Sequence, residues 1–522
     1  MNDTIRGFDT DVIIVGAGPI GLTLARALSH HGVSYRIFER KRQGSTDSKG
    51  HNMIARSQEL LDAIGVRDAL AAQSYASTQT QIILDRVPLA RLDTRDSGSR
   101  YEAVLFSGQD VIENVLADSL GDGNAVERGR PVLGIEADED GVVVSVGHVD
   151  ADGEKRSEAT AERLRCRYLV GADGVRGTVR KAVGLDFSPT ELEGTAIRQV
   201  DAKLEWRRST DFDELWFFLY PDGFAGVMPV WEGVYRLFFM EADTDMPARE
   251  PTLDEMVARA REVIGDETFT MTDPVWFSYG KFKHGVAPDY ARGRVYLVGD
   301  AGHTTLPIGG QGMNAGFHDA VGLGWRLAMT LADACGSSVL DSFAPERHGA
   351  HAALGEQQLK GFHQLMDRSR LADAAVKTVS GFIPNLASRV FGGSDLAQLE
   401  LAYLDSPLSE DHFSKLNPKR HGAARAGDRA PDAAMTTVSG DAVTLHQEIY
   451  NPDGKSWGWR LLAFDGRDAG SRADLSRGIA AVAAWSWVRP LLVLANPRPA
   501  DDGTEATRCL FDLDGLAHHS SR

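Results

Sequence analysis

The opening stretch "TDVIIVGAGPIGLTLARALSHHGVSYRIFER" sets an apolar β-branched run against a glycine-rich break, a helix-period pattern and a second apolar run. That order predicts a buried strand, a tight turn, a helix from about Pro19 to His31 closed by Gly32, and a second strand ending at Glu39. "CRYLVGADGVRGTVRKAVG", residues 166–184, again runs from a strand into Asp173-Gly174 and a basic helix carrying Arg176 and Arg180. In "RVYLVGDAGHTTLPIGGQGMNAGFHDA", residues 294–320, a strand Val295–Val298 delivers Asp300, and Gly309, Gly310 and Gly312 precede a helix beginning near Met313. Residues 214–240, "ELWFFLYPDGFAGVMPVWEGVYRLFFM", are apolar runs broken at Pro221-Asp222-Gly223 and Glu232-Gly233, the turn chemistry of an antiparallel meander. The stretch beginning "GEQQLKGFHQLMDRSR" reads as helices, and the polar Gly/Pro-rich segment 415–435 marks a linker or domain entry. Beyond it, "GWRLLAFDG" and "PLLVLANP" read as short buried strands.

A chain of 522 residues is too long for one core, so two or three domains are expected. The net charge of -18 repels nucleic-acid phosphates and anionic membranes over the surface as a whole. Three cysteines, Cys166, Cys335 and Cys509, share no metal-ligand spacing, which predicts no metal site and suits a reducing compartment, the cytoplasm. The polar beginning "MNDTIRGFDTD" has no signal core, and no uncharged apolar stretch reaches the ~18 residues of a membrane helix.

Gly16, Gly18 and Gly21 fit G-x-G-x-x-G, in which missing side chains allow the turn, the approach of a pyrophosphate, and close packing of helix on strand. Glu39, at the end of the second strand, is placed to grip ribose hydroxyls, favouring FAD or NAD over NADP at this site. The two later segments favour FAD. A helix amino terminus suits an anion, and a reduced flavin is one at N1 and O2, so the glycines of residues 309–312 let backbone lie against its ring while Asp300 holds the ribityl chain.

Taken in this order, Gly16-x-Gly18-x-x-Gly21, Asp173-Gly174 and Gly299-Asp300 resemble the single-component FAD-dependent aromatic hydroxylases, class A monooxygenases of the para-hydroxybenzoate hydroxylase fold. The resemblance covers roughly residues 8–360, and "GQGMNAGFHDAVGLGWRLA" is its most specific part. It implies FAD contacts at Gly16, Gly18, Pro19, Ile20, Gly21, Glu39, Arg40, Lys49, Arg56, Gln109, Asp173, Asp300, Gly310, Gly312, Met313 and Asn314, and puts Pro307 beside the flavin. Two positions depart from the pattern. Lys49 stands where an arginine is usual, and "KHGVAPDYARGRV" lacks the usual arginine ahead of Ala287.

The implied class is α/β: a Rossmann-like FAD-binding domain from 1–80, 101–185 and 285–360, a β-sheet substrate domain from 81–100 and 186–284, a helical connection over 361–420, and a thioredoxin-like domain over 421–522 lacking C-x-x-C. That tail departs from the usual "RPDG" ending of its group and reads as structural or as a contact surface. The implied reaction uses NADPH or NADH to reduce FAD, adds O2 at C4a, and passes the distal oxygen of the hydroperoxide to an electron-rich ring. Residues 214–235 contain no Arg or Lys, which favours a neutral or weakly acidic phenol, including a polycyclic polyketide-like one, against Phe217, Phe224, Met228, Val230 and Trp231. His284, His303 and Tyr220 are the candidates for moving its proton. The alternatives are Baeyer-Villiger insertion or ring cleavage by the same flavin chemistry, and a flavin-binding scaffold without turnover. A small aromatic molecule is the expected partner, and a homodimer is compatible with the sequence.

Overall fold

The computed structural model describes residues 7–46, 50–95, 97–121, 123, 125–149, 156–208, 214–221, 223–231, 233–242, 248–306, 308–366, 397–412, 424–450, 459–464, 472–482, 484–494 and 508–511. The first apolar run forms the strand Thr10–Val15, the helix runs Pro19–His30 with proline in its first turn, and the second strand is Tyr35–Glu39. Gly32, at φ 72°, takes the left-handed turn that lets the chain leave the helix. The strand Thr10–Val15 pairs in parallel with Tyr35–Glu39 on one side and with the end of Arg156–Gly171 on the other. Val295–Leu297 extends the sheet in parallel beyond Arg156–Gly171, so three chain-distant segments deliver their carboxyl ends to one edge of an eight-stranded sheet. A crevice at that edge is where α/β sheets bind ligands. The helices Pro19–His30 and Gln311–Leu331 pack closely: a Cβ built on Gly324 would stand 2.7 Å from the Ala27 side chain.

A second eight-stranded sheet carries the meander Glu214–Tyr220, Gly223–Trp231 and Val234–Ala242, flanked by Thr190–Glu205 and Thr270–Val286. Gln79–Leu84, parallel to Glu214–Tyr220, and Val87–Asp93, antiparallel to Gln79–Leu84, extend one side, and His303–Thr304 closes the other against Thr270–Val286. Both faces are buried, which explains runs of unbroken apolarity where one solvated face would give alternation. One face, with Phe218, Tyr220, Val227, Leu237 and Phe239, packs on the helix Leu253–Ile264. That helix is fixed by a Thr252/Glu255 capping box and by Gly265 in the left-handed region. The opposite face, with Phe224, Met228, Phe238 and Met240, packs on Phe106 and Leu306 from the first unit.

The connection expected over 361–420 is helical as far as Met366, as the end of the helix Phe343–Met366; residues 367–396 lie outside the described residues, and 397–412 run as turns. The C-terminal unit is a five-stranded sheet in which Trp459–Phe464, Val488–Leu494 and Arg508–Phe511 run parallel, with the helix Arg472–Val482 joining the first two. No described helix is long and apolar enough to cross a membrane.

Candidate functional site

The three glycines of the first turn do three different things. Gly16 has φ 105°, and a Cβ there would meet the Ala172 carbonyl oxygen at 2.4 Å; on Gly21 it would meet the Gly16 carbonyl oxygen at 2.0 Å. At Gly18 a Cβ would meet nothing within 4 Å, so this glycine leaves open space rather than relieving a clash. The open space belongs to a cavity of about 270 Å³ lined by Gly16, Gly18, Glu39, Arg40, Gln109 and Asp173, among others. Gly18 is also the N-cap of the helix beginning at Pro19, without a side-chain cap, so the helix's first N–H groups are not spent on a capping side chain. Glu39 is held at the cavity mouth by the amides of Ala17 and Lys41, each 2.9 Å from its carboxylate. Arg128, Arg130 and Arg176 add positive charge to the lining. An open glycine, an uncapped helix start, a terminal carboxylate and surrounding cations fit the adenosine diphosphate half of FAD.

Gln109 and Glu113 tie the middle of the site together. Gln109 accepts from Gly50 N at 3.3 Å and donates to Glu113 at 2.9 Å, while Glu113 accepts from Ser45 N at 3.0 Å. Asp173 accepts from the amides of Thr178 and Val179 at 2.6 and 3.1 Å, fixing its own loop, although burial pushes the carboxyl up from its ordinary range. Arg180, fully buried, donates to the carbonyls of Ala301 and Val175 at 2.7 and 2.8 Å and so locks the Asp173 loop to the Asp300 turn.

Asp300 stands exposed at the end of its strand. Ile20 does not face the cavity: its side chain packs against Gly299 and Gly316, where added Cβ atoms would meet it at 3.1 and 2.6 Å. The long helix starts at Gln311, two residues before the expected Met313, because Gly310 at φ 64° caps it in the left-handed region. Asn52 lies over Gly310, Thr305 over Gly312, and Met313 against Gly50. Asn314 spends its side chain on backbone, accepting from Ile54 N at 3.1 Å and donating to Asn52 O and Gly310 O at 3.1 and 2.8 Å. It therefore positions the glycine loop. Lys49 and Pro307 lie outside the described residues.

The remaining candidates separate by position. Arg56 donates to Glu59 and to the Tyr450 hydroxyl, each at 2.8 Å, and so also contacts the C-terminal unit. Tyr220 lies on the helix-covered face of the second sheet; burial and the adjacent Glu241 push its phenol up, and its hydroxyl donates to Glu241 at 2.9 Å. This corrects its assignment as a proton carrier for the opposite face. His284 packs against Gly355 of the helix Phe343–Met366. His303 is buried behind the Asp300 turn. Its Nε2 and that of His351 both approach Asp319 at 2.9 Å, Arg347 donates to Asp319 at 2.7 Å, and Asp319 accepts from Gly299 N at 2.9 Å. Burial pushes the Asp319 carboxyl up, but His351, Arg347 and His303 overcome it and hold the group well below its ordinary range. His303 thus belongs to a network bracing the Gly299-Asp300 turn. His303, Asp319 and His351 lie close enough to hold a cation, but Arg347 already neutralises the carboxylate.

Phe217, Phe224 and Met228 share the sheet face directed at the glycine-loop side, and Trp231 stands beside Gly108, the N-cap of the helix Gln109–Asp118. Val230 is the extra residue of a bulge between Pro229 and Trp231, buried but outside that aromatic cluster. Two charged residues on the same face, Asp201 and Arg236, escaped the sequence reading: Arg236 falls one position past the stretch that lacks Arg and Lys, and Asp201 lies on a different strand. Arg236 donates twice to Asp201, both at 2.8 Å, with both side chains buried.

A family model described as "FAD binding domain" matches residues 9–358. The chain is 33% identical over 344 residues to a rifampicin monooxygenase of Streptomyces venezuelae, covering 65% of this chain and 68% of that one. It is 34% identical over 349 residues to a 12-dehydrotetracycline 5-monooxygenase/anhydrotetracycline 6-monooxygenase of Streptomyces rimosus, covering 65% and 66%. Among solved structures, the OxyS anhydrotetracycline hydroxylase of Streptomyces rimosus superposes with a TM-score of 0.68 at 27% identity, over 98% of this chain and 99% of that one. The glycine turn, the acid at the end of the second strand and the Gly299-Asp300 turn meet at one sheet edge as an FAD site requires, and the chain belongs to the FAD-binding family of flavin-dependent aromatic monooxygenases.

Proposed function

We propose that this protein hydroxylates an uncharged or weakly acidic phenol, using NADPH or NADH as electron donor and one atom of O2. The observation that carries the substrate class is the sheet face of Phe217, Phe224, Met228 and Trp231, whose one buried cation among the described residues, Arg236, is already neutralised by Asp201 in a two-bond pair. A substrate carboxylate would have to displace Asp201, and breaking a buried pair costs ~3–5 kcal/mol. The relatives act on rifampicin and tetracycline skeletons by their names, which supports a polycyclic ring system here.

When bound, FAD supplies the oxygen activation. The chain's own residues hold its two ends, through Glu39 and Asp300, and cover the reacting ring with an apolar sheet that excludes water. The parallel strands of the C-terminal unit and the helix crossing between two of them support a thioredoxin-like reading of residues 421–522, and the contact of Arg56 with Tyr450 supports a docking role for it.

The test is a screen of phenols, carboxylated and not, for stimulated NADPH and NADH oxidation under isotopically labelled O2, with NMR assignment of the new C–O bond. Labelled ring hydroxyls on uncharged phenols are expected. Oxygen inserted beside a ketone would instead assign Baeyer-Villiger chemistry, and absence of labelled product from every phenol would refute hydroxylation.

A further inference from the structure

Gly50, His51 and Asn52 run between the glycine loop and the second sheet. Gly50 touches Met313 and Asn52 covers Gly310, so the residue between them is held against the loop from both sides. His51 itself reaches the sheet: its Nδ1 lies 3.0 Å from Arg236 Nη1, its Nε2 lies 2.8 Å from the Met228 sulfur, and its ring centre is 5.7 Å from that of Phe106. Asp201, Arg236 and Met228 sit directly opposite one another on three adjacent strands, forming one row across the sheet face. Trp276, opposite Asp201 on the next strand, completes the row, with its ring 4.7 Å from the Arg236 guanidinium.

The row determines where the imidazole proton sits. A guanidinium has only donors, so His51 Nδ1 must accept, and a neutral ring then carries its hydrogen on Nε2. Asp201 fixes Arg236 through two bonds, and Arg236 in turn fixes the tautomer of His51. The result is a neutral, oriented N–H aimed into the apolar side of the sheet at a thioether, which is a weak acceptor. An oxygen anion accepts a hydrogen bond far more strongly than a thioether does.

We propose that His51 Nε2–H binds the phenolic oxygen of the substrate and holds it as the phenolate. On binding, the phenol O–H bond breaks, the proton leaves to solvent, and the electron pair left on oxygen accepts the His51 hydrogen. No electron transfer is involved in this step. The ring is made electron-rich, as hydroxylation demands, without His51 itself becoming charged. This assignment rests on the phenol-hydroxylase reading above.

The experiment uses FAD-loaded protein and 4-nitrophenol, whose phenolate absorbs visibly where the neutral phenol does not. In the unaltered protein the bound probe should ionise at lower pH than free probe; binding of the neutral form alone overturns the assignment without any variant. His51→Leu should abolish that shift and raise KM for a turned-over phenol roughly tenfold or more, the size of one hydrogen bond to a charged oxygen. His51→Gln, which keeps a donor amide, should recover part of both. A yellow, folded His51→Leu protein with the native probe shift and KM overturns His51 while leaving the hydroxylase reading intact. If the unaltered protein turns over no phenol, the hydroxylase reading fails and the assignment falls with it.

Discussion

Glu59 is a buried carboxylate on the helix Ala55–Ala63 that joins the first unit to the C-terminal one. It accepts from Arg429 at 2.5 and 3.0 Å, from Arg56 at 2.8 Å and from Ser99 at 2.7 Å, and it has no exposed surface. Burial pushes its carboxyl up, yet these partners hold it at about 2, below the ordinary 4.5. At ~1.4 kcal/mol per unit, that gap corresponds to about 3 kcal/mol of stabilisation of the ionised form at neutral pH. Glu59→Gln keeps the shape and removes the charge, leaving two cations beside a neutral amide. Arg56 retains the Tyr450 hydroxyl and Arg429 retains the Gly98 carbonyl, so the loss should fall near the lower end of the ~3–5 kcal/mol seen for broken buried pairs. The assay is urea unfolding at pH 7, followed through the first transition, because a multi-unit chain need not unfold in one step. Arg429→Met and the double variant complete a thermodynamic cycle, in which the two losses should be strongly non-additive. A Glu59→Gln chain within ~0.5 kcal/mol of the parent would show that this charge is not what joins the units, and the reasoning would fail.

The glycine turn yields a paired prediction: Gly21→Ala should fail to fold or lose FAD, since its Cβ would meet the Gly16 carbonyl oxygen at 2.0 Å, whereas Gly18→Ala has room and should fold with a near-parental Tm while retaining FAD poorly on dialysis. Equal FAD retention by the Gly18→Ala and parent proteins would remove that glycine from the cofactor path. Acid stability should begin to fall well above the carboxylate range: burial and neighbouring His303 push His351 down to about 3, from 6.5. The unfolded chain takes up a proton there that the folded chain refuses, so stability is complete above pH ~6.5 and declines by up to ~1.4 kcal/mol per pH unit as pH falls toward 3. His351→Gln should flatten that limb between pH 6 and 5 in urea titrations; an unchanged slope would mean that another group controls it.

Local pattern determined the first turn and the meander, because each depends on residues adjacent in the chain. A glycine at φ 105°, a helix with proline in its first turn and a carboxylate at the end of the next strand need no distant partner to be recognised. The meander strands were bounded by their turns, and the structure places them at Glu214–Tyr220, Gly223–Trp231 and Val234–Ala242. What the pattern could not assign was the face. With both sides of the second sheet buried, alternation of polarity was absent, so Tyr220 and Phe217 looked alike although they point to opposite sides. The contact of Arg56 with a tyrosine 394 positions away was likewise beyond any local pattern. The row of Asp201, Arg236 and Met228 draws on segments far apart in sequence that pairing register brings together, and His51 reaches it from outside that sheet. Cofactor binding was legible because it rests on backbone conformation encoded locally; the chemistry at the sheet face was not, because it rests on cross-strand neighbours that only tertiary packing selects.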